Sequence, residues 1–566
     1  MEQVSHASQA TAFEAPPKME PWRFSPLPFA PPDSSSGHST FRSSAGSSLP
    51  PSFSSPPLAP SPTDSSAAEL SKPPGNEQNP KLEVKVIKAM KLTRREALGF
   101  TAAGIGTIAL TGCNRAANAA YEAARSPIAP PLPQDDIAVA TLNRFGFGPN
   151  SADLEQFNQS TPHTWFESQI NPTDDEPTHL VTRLERLEIN HLGPWDLRDW
   201  KEEAIIAQMQ QAAILRATYS PWQLRERMVD FWTNHFNIYA KKGLAVYRKP
   251  WDERNVIRKH ALGNFPDMIM ASAKSTAMLL YLDQQASTAA HPNENYAREL
   301  LELHTLGVEG GYTQKDVMEA ARCFTGWSEE RGFLKKKGAF LFIDEIHDKE
   351  EKVVLGTKIP AGGDISDGET VVRLAALHPS TARHITRKLC DYFLGDPDHK
   401  CQAEMAETFL KTEGNIPALL RIIHREFPTS TEPVIKRPLD FIVSALRATD
   451  AATDAGLPVQ NLLAEMGQPL YLWPMPDGFP TEPTAWTASL LPRWNFASRL
   501  TNKGLDNTNI DPKRTAENLP IPSGVAIAFR RDPSNKQLKN LNQVLKSKPL
   551  PMQIALALAS PEYQWR

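Results

Sequence analysis

Between His291 and Asp316 the chain reads HPNENYARELLELHTLGVEGGYTQKD. Groups able to do acid–base chemistry are dense here. At about 100° per residue on a helix, Glu294, Asn295, Arg298, Glu299 and Glu302 share one face. Carboxylates held close together raise one another's proton affinity, which suits one of them to general acid work or metal ligation. Arg298 stands between Glu294 and Glu302 and can orient both. Asn293, a suitable N-cap, and Asn295 crowd the first turn. Tyr312, Thr313 and Gln314 follow a Gly310-Gly311 turn that can fold back, and Trp327 offers a ring amine. A solvated helix face usually carries lysines, and none occurs between His291 and Gln314. The expectation is a polar pocket over Glu294, Glu299, Glu302 and Arg298 as candidate catalytic residues, bordered by His235 or His347. The competing reading is a salt-bridge ladder at i, i+4 and i+8 with no ligand, each pair contributing about 0.2–0.5 kcal/mol.

His304 lies on the opposite face of the same helix, among Leu300, Leu301 and Leu303 and just before Gly307. His235 is placed the same way in PWQLRERMVDFWTNHFNIY. It falls with Arg225 inside an apolar arc of Leu224, Met228, Val229, Phe231, Trp232 and Phe236, with Gln223, Glu226, Arg227, Asp230 and Asn234 opposite. A third histidine comes with an acid, His347-Asp348. Imidazole and carboxylate ligands suit a divalent ion. His235, His304, His347 and Asp348 therefore form a candidate site for one divalent metal, with Glu299 or Asp283 as further oxygen donors. The competing reading of each histidine is a core residue with one hydrogen bond. Neither HExxH nor His-x-His occurs. Glu-x-x-His occurs at Glu176–His179 and Glu188–His191, but Pro177 interrupts the first and Leu192-Gly193-Pro194 follows the second, so neither suits a di-iron bundle. GxSxG, Walker and strand-linked GxGxxG motifs are missing, as is CxxCH.

The elements that must position these groups are helical. Apolar periodicity predicts helices over 136–145, 195–218, 221–236, 253–262, 293–305, 314–327, 368–394, 416–425, 439–449 and 485–500. Alternation over 339–348 and 352–359 predicts one β-hairpin or small sheet. The fold class is thus mainly α, a large multi-helix domain over 136–566 with one small β insertion near 339–359. A 40% hydrophobic content with 12 Trp can fill its core, and a net charge of −4 gives no reason to expect nucleic acid as a partner. Four cysteines, with no CxxC, exclude a disulfide scaffold. Cys390 and Cys401 are close enough in sequence for a disulfide in an exported protein, but buried free thiols are the expectation for a cysteine in an apolar helical pattern.

The N-terminal organisation is different. Residues 1–89 are Ser/Pro-rich with few large aliphatics, and cannot bury enough apolar surface to offset chain entropy, so they are expected to be disordered. At Met90 the sequence MKLTRREALGFTAAGIGTIALTGC begins. Its basic start, apolar run too short for a membrane span, and closing cysteine have the order of a signal peptide. Thr93-Arg94-Arg95 resembles the twin-arginine export motif, and Leu110-Thr111-Gly112-Cys113 resembles a lipobox, in which Cys113 is lipidated. Because such a signal works at an N-terminus, Met90 is expected to be the true start and 1–89 a gene-model extension. Residues 114–135 read as a Pro-rich tether.

The segments LNRFGFGP, WTNHF, LLYLDQQAS, NENYARELLELHTLGVEGGYTQKDVMEAARCFTGW, MGQPLY, WNFASRL and LALASPEYQ resemble the bacterial domain-of-unknown-function family 1800 over about 136–566. The resemblance implies a mostly helical exported protein. It marks Asn234, His235, Asp283, Asn293, Glu294, Tyr296, Arg298, Glu299, Glu302, His304, Tyr312 to Gln314, Thr325 to Trp327, His347 and Asp348 as motif positions without assigning roles. It also implies a partner, an exported protein of the domain-of-unknown-function family 1501. LYLWPMPDGFP at 470–480 departs from the family pattern. Two functions follow as expectations. One is a lipid-anchored cell-envelope or periplasmic protein that binds or assembles a surface partner without catalysis. The other is a metal-dependent envelope hydrolase acting on a polymer or surface glycan.

Overall fold

The computed structural model describes residues 136–566 except 174, 333–337, 428–433, 519–542, 544 and 546. The expected disordered segment, export signal (Arg94, Arg95), lipidation site (Cys113) and tether lie outside the described residues.

The domain is mainly α-helical. One core gathers Phe145, Trp232, Phe265, Leu300, Phe324 and Trp327. A second lies around the Glu202–Tyr219 helix, against the Pro438–Ala448 and Leu490–Thr501 helices. Glu202–Tyr219 buries Ile205, Ile206, Met209, Ala212, Ile214, Leu215 and Ala217, more than one stripe of its surface, which fits a helix enclosed by others. Local chemistry sets the ends. Thr313 and Asp316 form a reciprocal capping box at the start of Gln314–Cys323. The expected helix over 368–394 is two, Ile365–Ala376 and Pro379–Leu394, because Pro379 favours a first-turn position over a helix interior. The second ends at Gly395, whose φ of 76° is the left-handed conformation that glycine adopts without penalty.

Among the described residues the β content is three two-stranded antiparallel sheets. The expected single hairpin is replaced by two of them. β1 (Trp327–Glu329) pairs with β2 (Phe340–Phe342), and β3 (Lys352–Val354) pairs with β4 (Thr357–Ile359). The expected 314–327 helix stops at Cys323, which releases Trp327 to open β1. The third sheet joins β5 (Ala452–Thr453) to β6 (Thr508–Asn509).

Two departures from simple helical periodicity matter for the site. The motif helix is α-helical only over Glu294–Glu299 and continues as a π-helical turn over Leu300–His304. Such a turn carries an extra residue and rotates the side chains beyond it. Leu300, Leu301 and His304 are buried, while Leu303, expected on the same side, is only half-buried. The second departure is the polar arc of the Gln223–His235 helix, which is inside the protein. Glu226 receives both terminal nitrogens of Arg258 at 2.7 and 2.8 Å. Arg227, 1% exposed, is ion-paired to Asp440 and also donates to the Gly146 carbonyl. Asp230 accepts from Arg437 and, at 2.8 Å, from the Tyr392 hydroxyl. Buried charges need such partners. Around the same place Arg144 donates to the carbonyls of Phe393 (2.8 Å) and Arg566 (2.9 Å).

Cys323, Cys390 and Cys401 are free and buried. The sulfurs of Cys390 and Cys401 both point at the Met405 thioether, at 3.6 and 3.8 Å.

Candidate functional site

The acidic face of the motif helix is partly exposed and is bonded to its own chain. Asn293 caps the helix, accepting from the Asn295 amide at 2.9 Å and donating to the Asp283 carbonyl at 2.8 Å. Glu294 accepts from Arg298 (3.1 Å) and from the Gln314 amide (2.7 Å), and Glu302 accepts from the Tyr312 hydroxyl at 3.3 Å. The 312–314 turn therefore does fold back, as expected from its glycines. Burial, then the charge of Glu302, raises the Glu299 carboxyl above its ordinary value. Among the described residues no hydrogen bond or ion pair joins Glu294, Glu299 or Glu302 to His235, His304 or His347. Among the described residues the face forms a network of helix and turn with no direct bond to the histidines expected to border it.

The four candidate metal ligands fall into two places. His347 turns its Nδ1 to the Thr325 carbonyl (2.8 Å) and its Nε2 to Asp367 (3.3 Å). Both oxygens of Asp348 are held by Arg322, at 2.7 and 3.1 Å. The buried ammonium of Lys352 completes this cluster, donating to Asp367 at 2.9 Å and to the Asp348 and Glu350 carbonyls. Every member has a structural partner. Asp283, the further donor considered, is exposed and paired with Lys242 at 2.7 Å.

His235 and His304 do come together, at the C-terminal ends of their two helices. Their ring centres are 6.1 Å apart, and His384 lies 6.4 Å from His235. His235 uses Nε2 on the His304 carbonyl (3.1 Å) and accepts the ammonium of Lys388 on Nδ1 (3.0 Å). An ammonium at that position repels a cation, so the donor set does not suit a metal. Among the described residues no group of three or more His, Cys, Asp and Glu side chains is placed to hold one. Burial first, and the Lys388 charge second, push the histidines toward the neutral form. His304 falls to about 3, and His235 lies well below its usual range. His384, which donates to the Leu303 carbonyl at 3.3 Å, falls to about 4. The Nε2 of His304 is buried without a hydrogen bond.

Lys388 and His384 carry this cluster to the surface. Both line a cleft of about 810 Å³ whose walls include Arg383, Arg387, Asp391, Leu306, Gly307 and Glu482. Gly307 has φ +84°, and a Cβ there would stand 2.9 Å from the His384 ring, so the helix end and His384 meet only through a glycine. Burial pushes the Lys388 ammonium down to about 8, with Asp477 and Asp391 opposing.

Asp477 belongs to the 470–480 segment, which straps across the end of the Gln223–His235 helix. Asn234 makes a reciprocal pair with Phe479, donating at 3.0 Å and accepting at 2.7 Å. Asn237 donates to the carbonyls of Trp473 and Met475, and Tyr281 to that of Pro474. Gly478, at φ +81°, lets the strap pass where a Cβ would collide with the Asn234 carbonyl at 2.3 Å. Beneath the strap is a cavity of about 50 Å³ lined by Glu226, Asp230, Asn234, Glu253 and Tyr471. The motif asparagine thus has a positioning duty.

Sequence reasoning missed Lys388, His384, Arg383 and Arg387. The available signal was RHITRKL, whose basic residues stand in two i, i+4 rows on one helix.

This arrangement defines a mainly helical domain with a charged cleft backed by neutral histidines. The chain belongs to the family described as protein of unknown function DUF1800, whose profile matches residues 140–565. No curated protein and no solved structure matches it. Among the described residues no helix is long and apolar enough to cross a membrane.

Proposed function

We propose that this protein is exported, lipid-anchored through Cys113 in the cell envelope, and binds a charged segment of a surface partner without catalysis. The observation that carries the binding reading is the cleft. It is large, open, and walled by Arg383, Arg387 and Lys388 on one helix with Asp391, Glu309 and Glu482 around them. Charge of this kind gives a binding surface specificity and a fast encounter rate. The anchoring half rests on the signal-like sequence from Met90 to Cys113. The resemblance suggests the partner, an exported protein of the domain-of-unknown-function family 1501. The hydrolase alternative has less support, since its four ligands divide between two clusters and two of its three carboxylates, Glu294 and Glu302, are engaged by Arg298, Gln314 and Tyr312.

The test uses the native host and the purified partner. Arg383→Glu/Arg387→Glu should weaken association at least about tenfold, or roughly 1.4 kcal/mol, without shifting the unfolding midpoint. Unchanged affinity overturns the cleft reading. Cys113→Ser should move the protein from the membrane to the soluble exported fraction, and a variant that still pellets after a salt wash overturns the anchor.

A further inference from the structure

Lys388 stands out in the cleft because of what it lacks. An ammonium has three hydrogens to place. One goes to His235 Nδ1 at 3.0 Å, a neutral acceptor. The other ring nitrogen of His235 is committed to the His304 carbonyl, so Nδ1 offers its lone pair and no charge. Among the described residues no carboxylate is within ion-pair distance of Lys388. Among the described residues its neighbour Arg383 likewise meets no carboxylate and donates to the Ser380 hydroxyl at 2.9 Å. Arg387 has a single exposed contact with Asp398 at 3.3 Å.

The groups facing Lys388 from each packed element do not supply the missing charge. His235, His304 and His384 are neutral. Asp391, on the same helix, is itself raised by burial, and Asp477 on the strap acts only at a distance. Glu309 and Glu482 line the cleft without reaching the ammonium. A partly buried cation without a counter-charge is costly unless a partner arrives from solution. The elements packed on it do not supply that partner, and the open side of the site is the cleft.

We propose that Lys388 is the anchor for an anionic group, a carboxylate or a phosphate, on the ligand that occupies the cleft, with Arg383 beside it. This rests on the binding reading above and names the chemistry the ligand must bring. A lysine is a point charge with rotatable donors, so it accepts either oxyanion where an arginine fork would select planar geometry. The bond formed is charge-assisted, about twice the strength of a neutral one. Binding is also linked to protonation. The free amine titrates near 8, and a bound anion holds the proton in place. Affinity is therefore full below that value and falls by up to about tenfold per pH unit above it.

The experiment measures binding of labelled polyglutamate and labelled polyphosphate to the full chain, with neutral dextran as reference, at a pH below and a pH above 8. One or both polyanions should bind and dextran should not. Which probe binds separates the carboxylate from the phosphate source. Lys388→Met should weaken binding at least about tenfold at the lower pH. Lys388→Arg, which keeps its charge throughout, should bind at both pH values and lose the fall. The anchor is overturned if neither polyanion binds, if Lys388→Met binds as tightly as the parent, or if the fall persists in Lys388→Arg. Should that happen while Arg383→Glu/Arg387→Glu still breaks association with the partner, the anchor fails and the cleft reading stands.

Discussion

Acidification should weaken this fold through His304 in particular. The side chain is 2% exposed and burial pushes its imidazole to about 3. Its folded value lies below the unfolded one of 6.5, so the stability it contributes is present above 6.5 and is lost as pH falls from there toward about 3. At pH 5 about 1.5 units of that interval have been crossed, which at about 1.36 kcal/mol per unit is roughly 2 kcal/mol. The perturbation is His304→Gln, a neutral side chain that cannot take the proton. Urea unfolding of both proteins at pH 7 and pH 5 gives two differences. The variant is expected to start lower at pH 7, because a packed ring has been shortened. It should then lose about 2 kcal/mol less than the parent between the two pH values. The other depressed histidines, His179, His235, His260, His378, His384 and His424, remain in both proteins and largely cancel, apart from the coupling of His235 and His384 to His304. Equal losses in parent and variant would refute the placement of a neutral, unpartnered imidazole in this core.

Three further outcomes are expected. Leu300→Ala should cost about 2–5 kcal/mol in urea unfolding, Leu303→Ala clearly less because that residue is half-buried, and Glu302→Ala only about 0–1 kcal/mol; equal costs at Leu300 and Leu303 would mean that the π-helical turn is misplaced. Asp440→Asn should destabilise by about 3–5 kcal/mol, since it leaves Arg227, Arg437 and Arg566 with too little negative charge, and a cost under 1 kcal/mol would show that the pair is solvated. Asn234→Ala should release the strap, seen as faster proteolytic cleavage between residues 470 and 480 with the rest of the domain resistant, and unchanged cleavage would show that the other bonds hold it alone.

Much of the fold was legible because helical periodicity survives burial. The 136–145 helix was located residue for residue, and the mainly α class followed from the number of such segments. The limits have specific causes. Trp327 continues the apolar rhythm of 314–323, and the local mark of its switch into β1 is Gly326, whose φ of 83° the periodicity does not weigh. The extra residue of the π-helical turn leaves no compositional trace, and it moves Leu303 away from the face that 100° per residue assigns. The arc from Gln223 to Asp230 could be placed opposite the apolar one but not given its partners, because Arg258, Asp440 and Arg437 are up to 213 positions away in sequence. For the site, the fold-back of Tyr312 and Gln314 could be seen in the turn glycines. The convergence of His235 with His304 was expected, but that of His347 with them was not realised. Its neighbour Asp348 was claimed by Arg322, and a sequence cannot show which of several cations reaches a carboxylate first.

The hydrogen bond from Arg144 to the carbonyl of Arg566 spans 422 positions. It also sets a timetable. On a ribosome the first described helix can form early, but the Arg144 guanidinium cannot be satisfied by Arg566 until that residue has left the exit tunnel. The Arg227–Asp440 pair imposes a similar wait. Contacts between such distant positions must overcome loop-closure entropy before they reward it, and they slow folding. These two contacts therefore close late in synthesis, whereas the core that runs from Ala138 to Phe427 draws on none of the residues after it. Loss of the Arg566 carbonyl would be felt at Arg144, 422 positions away.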